Sequence, residues 1–180
     1  NAVRDIQVLT PMQRGICGAA NLNQVLQEAM NPTDILLRRG GTQYRLKDKV
    51  MQIRNDYDKE VFNGDIGVIS GVNMEERELT VNYDGREVVY DISELDELSR
   101  AYAVTIHKAQ GSEYPAVIVP LYSGPRMLMT RNLIYTAVTR ARSCVCIVGL
   151  PDTFQGMVDN DTEQKRYTGL KEGIEELDQM

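Results

Sequence analysis

A chain of 180 residues, 42% hydrophobic, has material for one ordinary domain, or for one domain carrying a small insert. Its longest apolar runs, such as Val117-Ile118-Val119, are too short to span a bilayer, and no basic, apolar leader opens it. The net charge of −6 speaks against nucleic acid only as an average, since segments 1–42, 43–99, 100–150 and 151–180 carry +1, −7, +5 and −5. Three cysteines, Cys17, Cys144 and Cys146, cannot complete a disulfide framework, which fits a reducing cytoplasm.

In chain order, Asp5 to Met12 reads as a strand that ends around Pro11 and is followed by a Gly15/Gly18 loop. Ala19, Leu22, Val25, Leu26 and Ala29 then recur at helical spacing until Asn31-Pro32 stops the run. Residues 43–99 differ in kind. Short alternating runs at 50–53, 67–69, 79–83 and 88–92 are parted by turn signals, including Asn63-Gly64-Asp65 and the two-residue hairpin turn Asp84-Gly85. Several short antiparallel strands in so small a span predict a little barrel.

Strand–helix alternation then resumes, which makes the barrel an insert. Ala101–Ile106 predicts a strand, 107–114 a polar turn, Ala116–Leu121 a buried strand, 127–139 a helix and Cys144–Val148 a last strand. Cys144 and Cys146 would share one face of that strand as small buried residues rather than a metal pair. The tail from Lys165 to Met180 predicts an acidic surface helix. Together the elements predict an α/β domain with a largely parallel sheet, built from 1–42 and 100–180, with a barrel over 43–99.

Chemistry concentrates in three blocks, each where a strand or helix ends, the place where α/β sheets build ligand sites. They are Thr105-Ile-His-Lys-Ala-Gln-Gly-Ser-Glu113, Tyr135-Thr-Ala-Val-Thr-Arg-Ala-Arg142 and Pro11-Met-Gln-Arg-Gly15. Segment 100–150 holds six basic residues against one acid, Glu113, the local bias that a phosphate-rich ligand needs. Gly111 lets the backbone come close to a ligand. As the lone acid, Glu113 suits a hydrogen bond to a sugar hydroxyl better than a surface salt bridge. Thr105 and His107 offer donors at one strand tip. Arg140 and Arg142 cannot share a helix face, so one can meet a ligand while the other braces the structure.

In this order the blocks resemble the C-terminal motifs of superfamily 1 helicases, in the RecD-like branch (the exonuclease V alpha subunit and its relatives). Thr105–Glu113 resembles motif V, Tyr135–Arg142 motif VI, and Val8–Gly18 with Leu22-Asn23 motif IV. Asn55-Asp-Tyr57 and Val61-Phe-Asn-Gly-Asp-Ile-Gly67 also resemble that branch. The resemblance runs from residue 6 to about 150.

It implies the second of two RecA-like motor domains, interrupted by an SH3-like barrel, in an ATP-dependent 5′→3′ DNA helicase. By resemblance Arg140 is the arginine finger and Gly111 and Glu113 meet the nucleotide, with Arg14 as the motif IV phosphate contact. Thr105 and His107 touch single-stranded DNA. No Gly-Lys dipeptide occurs, so a P-loop and the Mg²⁺-holding carboxylate are expected in an N-terminal RecA-like domain of the same chain. ATP and Mg²⁺ would then be held by the whole protein and neither by these residues alone. Other subunits of a recombination or repair complex are conceivable partners, and a membrane is not.

Other readings stay open at this point. A relaxase-type conjugative helicase shares the motif set, and a non-catalytic module would use the barrel to recruit DNA or protein. A nuclease lacks a cluster of metal-binding carboxylates. On the barrel, Arg45, Lys47, Lys49, Tyr57 and Phe62 are candidates for a local strand-binding face, although Phe62 reads better as core.

Overall fold

A computed structural model describes residues 2–162; the predicted tail helix lies outside the described residues. After a single turn of helix, α1 (Ala2–Asp5), strand β1 (Ile6–Thr10) enters the first of two bodies. Helix α2 (Ala19–Met30) follows; it buries Ala19, Asn23 and Gln27, and leaves the apolar Val25 and Met30 largely exposed. It ends at Asn31 ahead of Pro32, whose ring disfavours helical geometry in the residue before it.

The chain then leaves for the barrel: β2 (Leu36–Arg39), β3 (Thr42–Arg45), β4 (Lys49–Gln52), β5 (Ile66–Asn73), β6 (Glu78–Tyr83) and β7 (Arg86–Asp91). A 3₁₀ turn over Ile92–Glu97 leads to β8 (Leu98–Arg100). β2 and β3 form a hairpin, and the other five strands form one antiparallel sheet in the order β7-β6-β5-β4-β8. Asp84 and Gly85 both take positive φ (50° and 100°), the geometry of a type I′ turn, so the β6–β7 hairpin follows from those two residues. Buried Leu37, Tyr44, Val50, Ile69, Leu79, Val81, Tyr90 and Leu95 share one core. The barrel's packing therefore begins at Leu36, ahead of residue 43, because Leu37 on β2 supplies part of that core.

The first body resumes with β9 (Ala103–Thr105), β10 (Tyr114–Leu121), α3 (Arg131–Val138), β11 (Ala141–Gly149) and α4 (Pro151–Asp159). Its four strands are all parallel, in the order β11-β10-β1-β9. Leu9, Val117, Val119 and Leu121 from the sheet pack with Leu133, Ile134 and Ala137 of α3 and Met157 of α4. Helix α3 starts four residues later than its apolar period suggests. Thr130 caps it through its hydroxyl, which accepts from the Leu133 amide, while 125–129 forms a tight turn. No helix among the described residues is long and apolar enough to cross a membrane.

Two expectations about burial fail. Cys144 and Cys146 are exposed rather than buried, as is nearly the whole of β11, an outer strand of the sheet. Phe62 is 44% exposed and meets Tyr57, 75% exposed, edge to face with centroids 6.0 Å apart. Buried Val61 enters the core instead, and Phe62 stands outside because its amide is drawn to the Asp65 carboxylate at 2.8 Å.

Candidate functional site: two ends of a parallel sheet

Because the strands are parallel, their register gives the sheet two ends of different character. Thr10 pairs with Thr105, and Val8 pairs with Ile118, so Thr10, Thr105 and Pro120 stand level at the C-terminal end. Tyr114 and Ala141 pair at the other end. At ~3.3 Å per residue, the two levels are roughly 20 Å apart along β10. The segment 105–113 runs from one end to the other, and this one motif therefore has a foot at each.

At the N-terminal end sit Gly111, Glu113, Arg140 and Arg142. Gly111 takes φ +87°, a conformation that glycine adopts without penalty. The Tyr114 amide donates to the Arg140 carbonyl at 2.8 Å, which locks the end of the first block to the end of the second. The Arg140 guanidinium lies back over its own helix end. Nη1 donates to the Ser112 carbonyl at 3.2 Å and Nε to the Thr136 carbonyl at 3.3 Å. Arg142 Nε donates to Glu113 Oε2 at 3.0 Å, with both side chains more than half exposed. Glu113 thus makes the surface ion pair that its sequence position argued against, since β10–β11 pairing sets Arg142 beside it. A pair so exposed is worth at most about 1 kcal/mol, and a ligand hydroxyl can displace it.

At the C-terminal end stand Thr105, His107 and Arg14. Edge strand β9 is held by α2: Asn23 donates to the Ala103 carbonyl (2.7 Å) and accepts from the Ala103 amide (3.0 Å). Thr105 Oγ1 accepts from the Lys108 amide at 3.4 Å, and His107 is exposed. Arg14 is exposed in the loop after β1, so the structure groups it with Thr105 and His107 and apart from Gly111, Glu113 and Arg140.

A third feature has no local signal in the sequence. Asp48, buried completely, accepts from Gln27 Nε2, from Asn31 Nδ2 (2.8 Å), from the Arg45 amide (2.7 Å) and from the Tyr102 hydroxyl (2.9 Å). It joins α2, the barrel and the return to the sheet. Beside it, Lys49 is buried and its Nζ donates to the Ile6 carbonyl at 3.1 Å. Burial pushes the Lys49 pKa down to about 8, with Asp5 opposing weakly. Lys49 therefore faces the seam, and Arg45 is tied to the Asn31 carbonyl, so neither joins Tyr57 and Phe62 in an exposed face. Among the described residues no group of three or more His, Cys, Asp or Glu gathers that could hold a metal.

A parallel sheet with motif-bearing ends, interrupted by a small barrel, is the architecture of a RecA-like helicase domain. Residues 22–83 match the SH3 domain of ATP-dependent RecD-like DNA helicases, and residues 100–148 match the UvrD-like helicase C-terminal domain. The chain belongs to the RecD-like superfamily 1 helicase family. It is 39% identical over 169 residues to the ATP-dependent RecD2 DNA helicase of Deinococcus radiodurans, covering 94% of this chain and 23% of that protein. It is 33% identical over 125 residues to the RecBCD enzyme subunit RecD of Mycolicibacterium smegmatis, covering 69% of this chain and 22% of that one. The fold is similar to that of Pif1 helicase from Bacteroides, solved with ADP-AlF3 and single-stranded DNA. There the TM-score is 0.59 at 16% identity, over 96% of this chain and 45% of that one. The chain thus spans about a quarter of the length of these curated relatives.

Proposed function

We propose that the chain is the C-terminal motor half of an ATP-dependent 5′→3′ DNA helicase of the RecD-like kind. Gly111, Glu113 and Arg140 form one wall of the nucleotide cleft, and Thr105 and His107 meet single-stranded DNA. The observation that carries this is the two-ended sheet, with one continuous segment, 105–113, joining the strand-contacting end to the nucleotide end. ATP and its Mg²⁺ would be held by the P-loop of a first RecA-like domain in the same protein. This half adds a guanidinium for the charge that develops on the transferred phosphoryl group, a contribution of roughly 10³–10⁵ in rate in comparable enzymes.

The Ser112 and Thr136 carbonyls hold Arg140 in place until a phosphate replaces them. Glu113, released from Arg142, can accept from a ribose hydroxyl. Arg14 stands at the opposite end of the sheet, so the nucleotide wall is drawn without it. The three free cysteines fit the reducing cytoplasm, where we place the protein. Other subunits of a recombination complex are candidate partners, since several relatives are named as RecBCD subunits.

The test is phosphate release with single-stranded DNA present. The chain alone should turn over no ATP above background, and robust DNA-stimulated turnover by it would overturn the half-motor reading. In the full-length protein Arg140→Ala should abolish DNA-stimulated hydrolysis while nucleotide binding falls far less, because the group acts on the transition state. Near-normal turnover would make Arg140 structural and Arg142 the better candidate.

A further inference from the structure

We propose that the loop after β10, residues 122–130, is a third arm of the single-strand track, in which Tyr122 stacks on a base and Arg126 holds a phosphate. The inference rests on the reading of the sheet's C-terminal end as the strand-binding end and extends it across β10.

Three loops leave that end: 11–18 after β1, 106–112 after β9 and 122–130 after β10. They touch. The Ile106 amide donates to the Thr10 carbonyl at 3.0 Å, and a Cβ on Gly124 would lie 3.2 Å from the Met12 sulfur. Each loop contributes one exposed cation (Arg14, Lys108 and Arg126), and none contains an acid. In a chain of net charge −6, a rim of three adjoining acid-free loops is a phosphate-binding surface of the kind that tracks a backbone. The bases need a π-face, and Tyr122, 57% exposed at the tip of β10, supplies the aromatic ring of this rim.

The third loop is built to hold its shape. Asn160, buried under it, donates through Nδ2 to the Arg126 carbonyl at 2.9 Å and to the Met129 carbonyl at 2.8 Å. The Leu128 amide closes a turn on the Pro125 carbonyl at 2.8 Å, and Thr153 Oγ1 donates to the Tyr122 carbonyl at 3.1 Å. Anchoring through the backbone leaves the Tyr122 ring and the Arg126 guanidinium outside. A trough of about 450 Å³ lies beside them, and its far wall carries Asp152 and Asp159 of α4. Those carboxylates repel phosphate, so the strand is confined to the side of the trough lined by Tyr122 and Arg126.

The experiment measures anisotropy of a labelled oligothymidylate with the full-length protein, across a salt series, for the wild type and for Tyr122→Ala, Tyr122→Phe, Arg126→Gln and Thr105→Ala. Tyr122→Ala should weaken binding roughly five- to a hundredfold, and Tyr122→Phe should restore it, since the ring is what stacks. On an abasic strand Tyr122→Ala should cost nothing further. Arg126→Gln should weaken binding to both strands and lower the slope of log K against log salt by about 0.7, the value for one phosphate on a single strand. A purely structural role would make Tyr122→Ala weaken intact and abasic strands alike, or Arg126→Gln weaken binding with the slope unchanged, and either result would overturn the proposal. If Thr105→Ala loses affinity while the 122 and 126 variants keep it, the third arm is wrong and the strand-binding end stands. If none of the variants loses affinity, that underlying reading falls as well.

Discussion

Arg140 and Arg142 are separated by one residue and by two kinds of contact. Arg140 rests on carbonyls, which cannot compete with a phosphate for a guanidinium, whereas Arg142 rests on a carboxylate. Removing Arg142 leaves Glu113 exposed and mobile but still able to reach a ribose. Arg142→Ala should therefore shift KM for ATP by no more than a few-fold with kcat largely kept, the converse of Arg140→Ala, which should depress kcat. Steady-state kinetics on the full-length protein decide it, and a collapse of kcat in Arg142→Ala would exchange the two roles. The residue types in these blocks were legible because motif order and strand ends fix where they sit. The Glu113–Arg142 pair was not, since it depends on the register between β10 and β11, which no local spacing encodes. Phe62 misleads for a similar reason. Hydrophobicity puts it inside, but alternation along the turn gives the inward place to Val61.

At the scale of elements, period-2 alternation and the Asp84-Gly85 turn made the barrel readable, whereas β2 was hidden because Arg38-Arg39-Gly40-Gly41 masks a strand of which only Leu37 faces inward. Close packing constrains β5. A Cβ on Gly67 would stand 2.5 Å from Val81 Cγ1 and 2.9 Å from the Asn82 carbonyl oxygen. Gly67→Ala must push β5 and β6 apart and should destabilise the barrel by about 1–3 kcal/mol, seen as a lower urea midpoint. An unchanged midpoint would mean that the hairpin gives way freely.

Lys49 offers a pH signature of the seam. Its folded pKa of about 8 lies below the ordinary 10.5, so between those values the unfolded chain binds more protons and stability rises with pH. Below pH 8 both states are charged and the penalty is constant. Burial raises the pKa of Tyr44 and Tyr90 to about 12, so above pH 10 the unfolded chain loses protons first and stability falls. Stability should therefore climb from pH 8 to 10 and then decline. Lys49→Met should flatten the climb and leave the decline, and urea melts at pH 7.5, 9, 10 and 11 would show it. A climb that persists in Lys49→Met would place its origin elsewhere.

On the scale of the whole molecule, the question is whether the barrel rides loosely on the motor or moves with it. Gln27, Asn31 and Tyr102, distant in sequence, converge on the Asp48 carboxylate, Arg100 donates to Gln27 Oε1 at 2.6 Å, and Arg4 pairs with Asp84 at 2.7 Å. Met51 and Ile66 of the barrel pack into the motor core. This seam was the least legible part of the chain, because an isolated Asp in an acidic segment reads as solvated surface until the fold brings Gln27, Asn31 and Tyr102 to it. On the proposed function, a barrel fixed in this way would turn a hydrolysis-driven shift of this domain into a displacement at a DNA fork. Removing 43–99 would test that poorly, since the cut would strip both cores. Asp48→Ala is cleaner. It leaves buried donors without an acceptor, a loss on the order of 3 kcal/mol at the seam. Amide exchange should then rise at 45–48 and 101–103 while β1 and β10 keep their protection. In the full-length protein, DNA-stimulated hydrolysis should hold within about twofold, because the Arg140 end is untouched, and base pairs separated per ATP should fall several-fold. If exchange shows the seam open and unwinding per ATP is unchanged, the barrel's fixed seat has no part in strand separation.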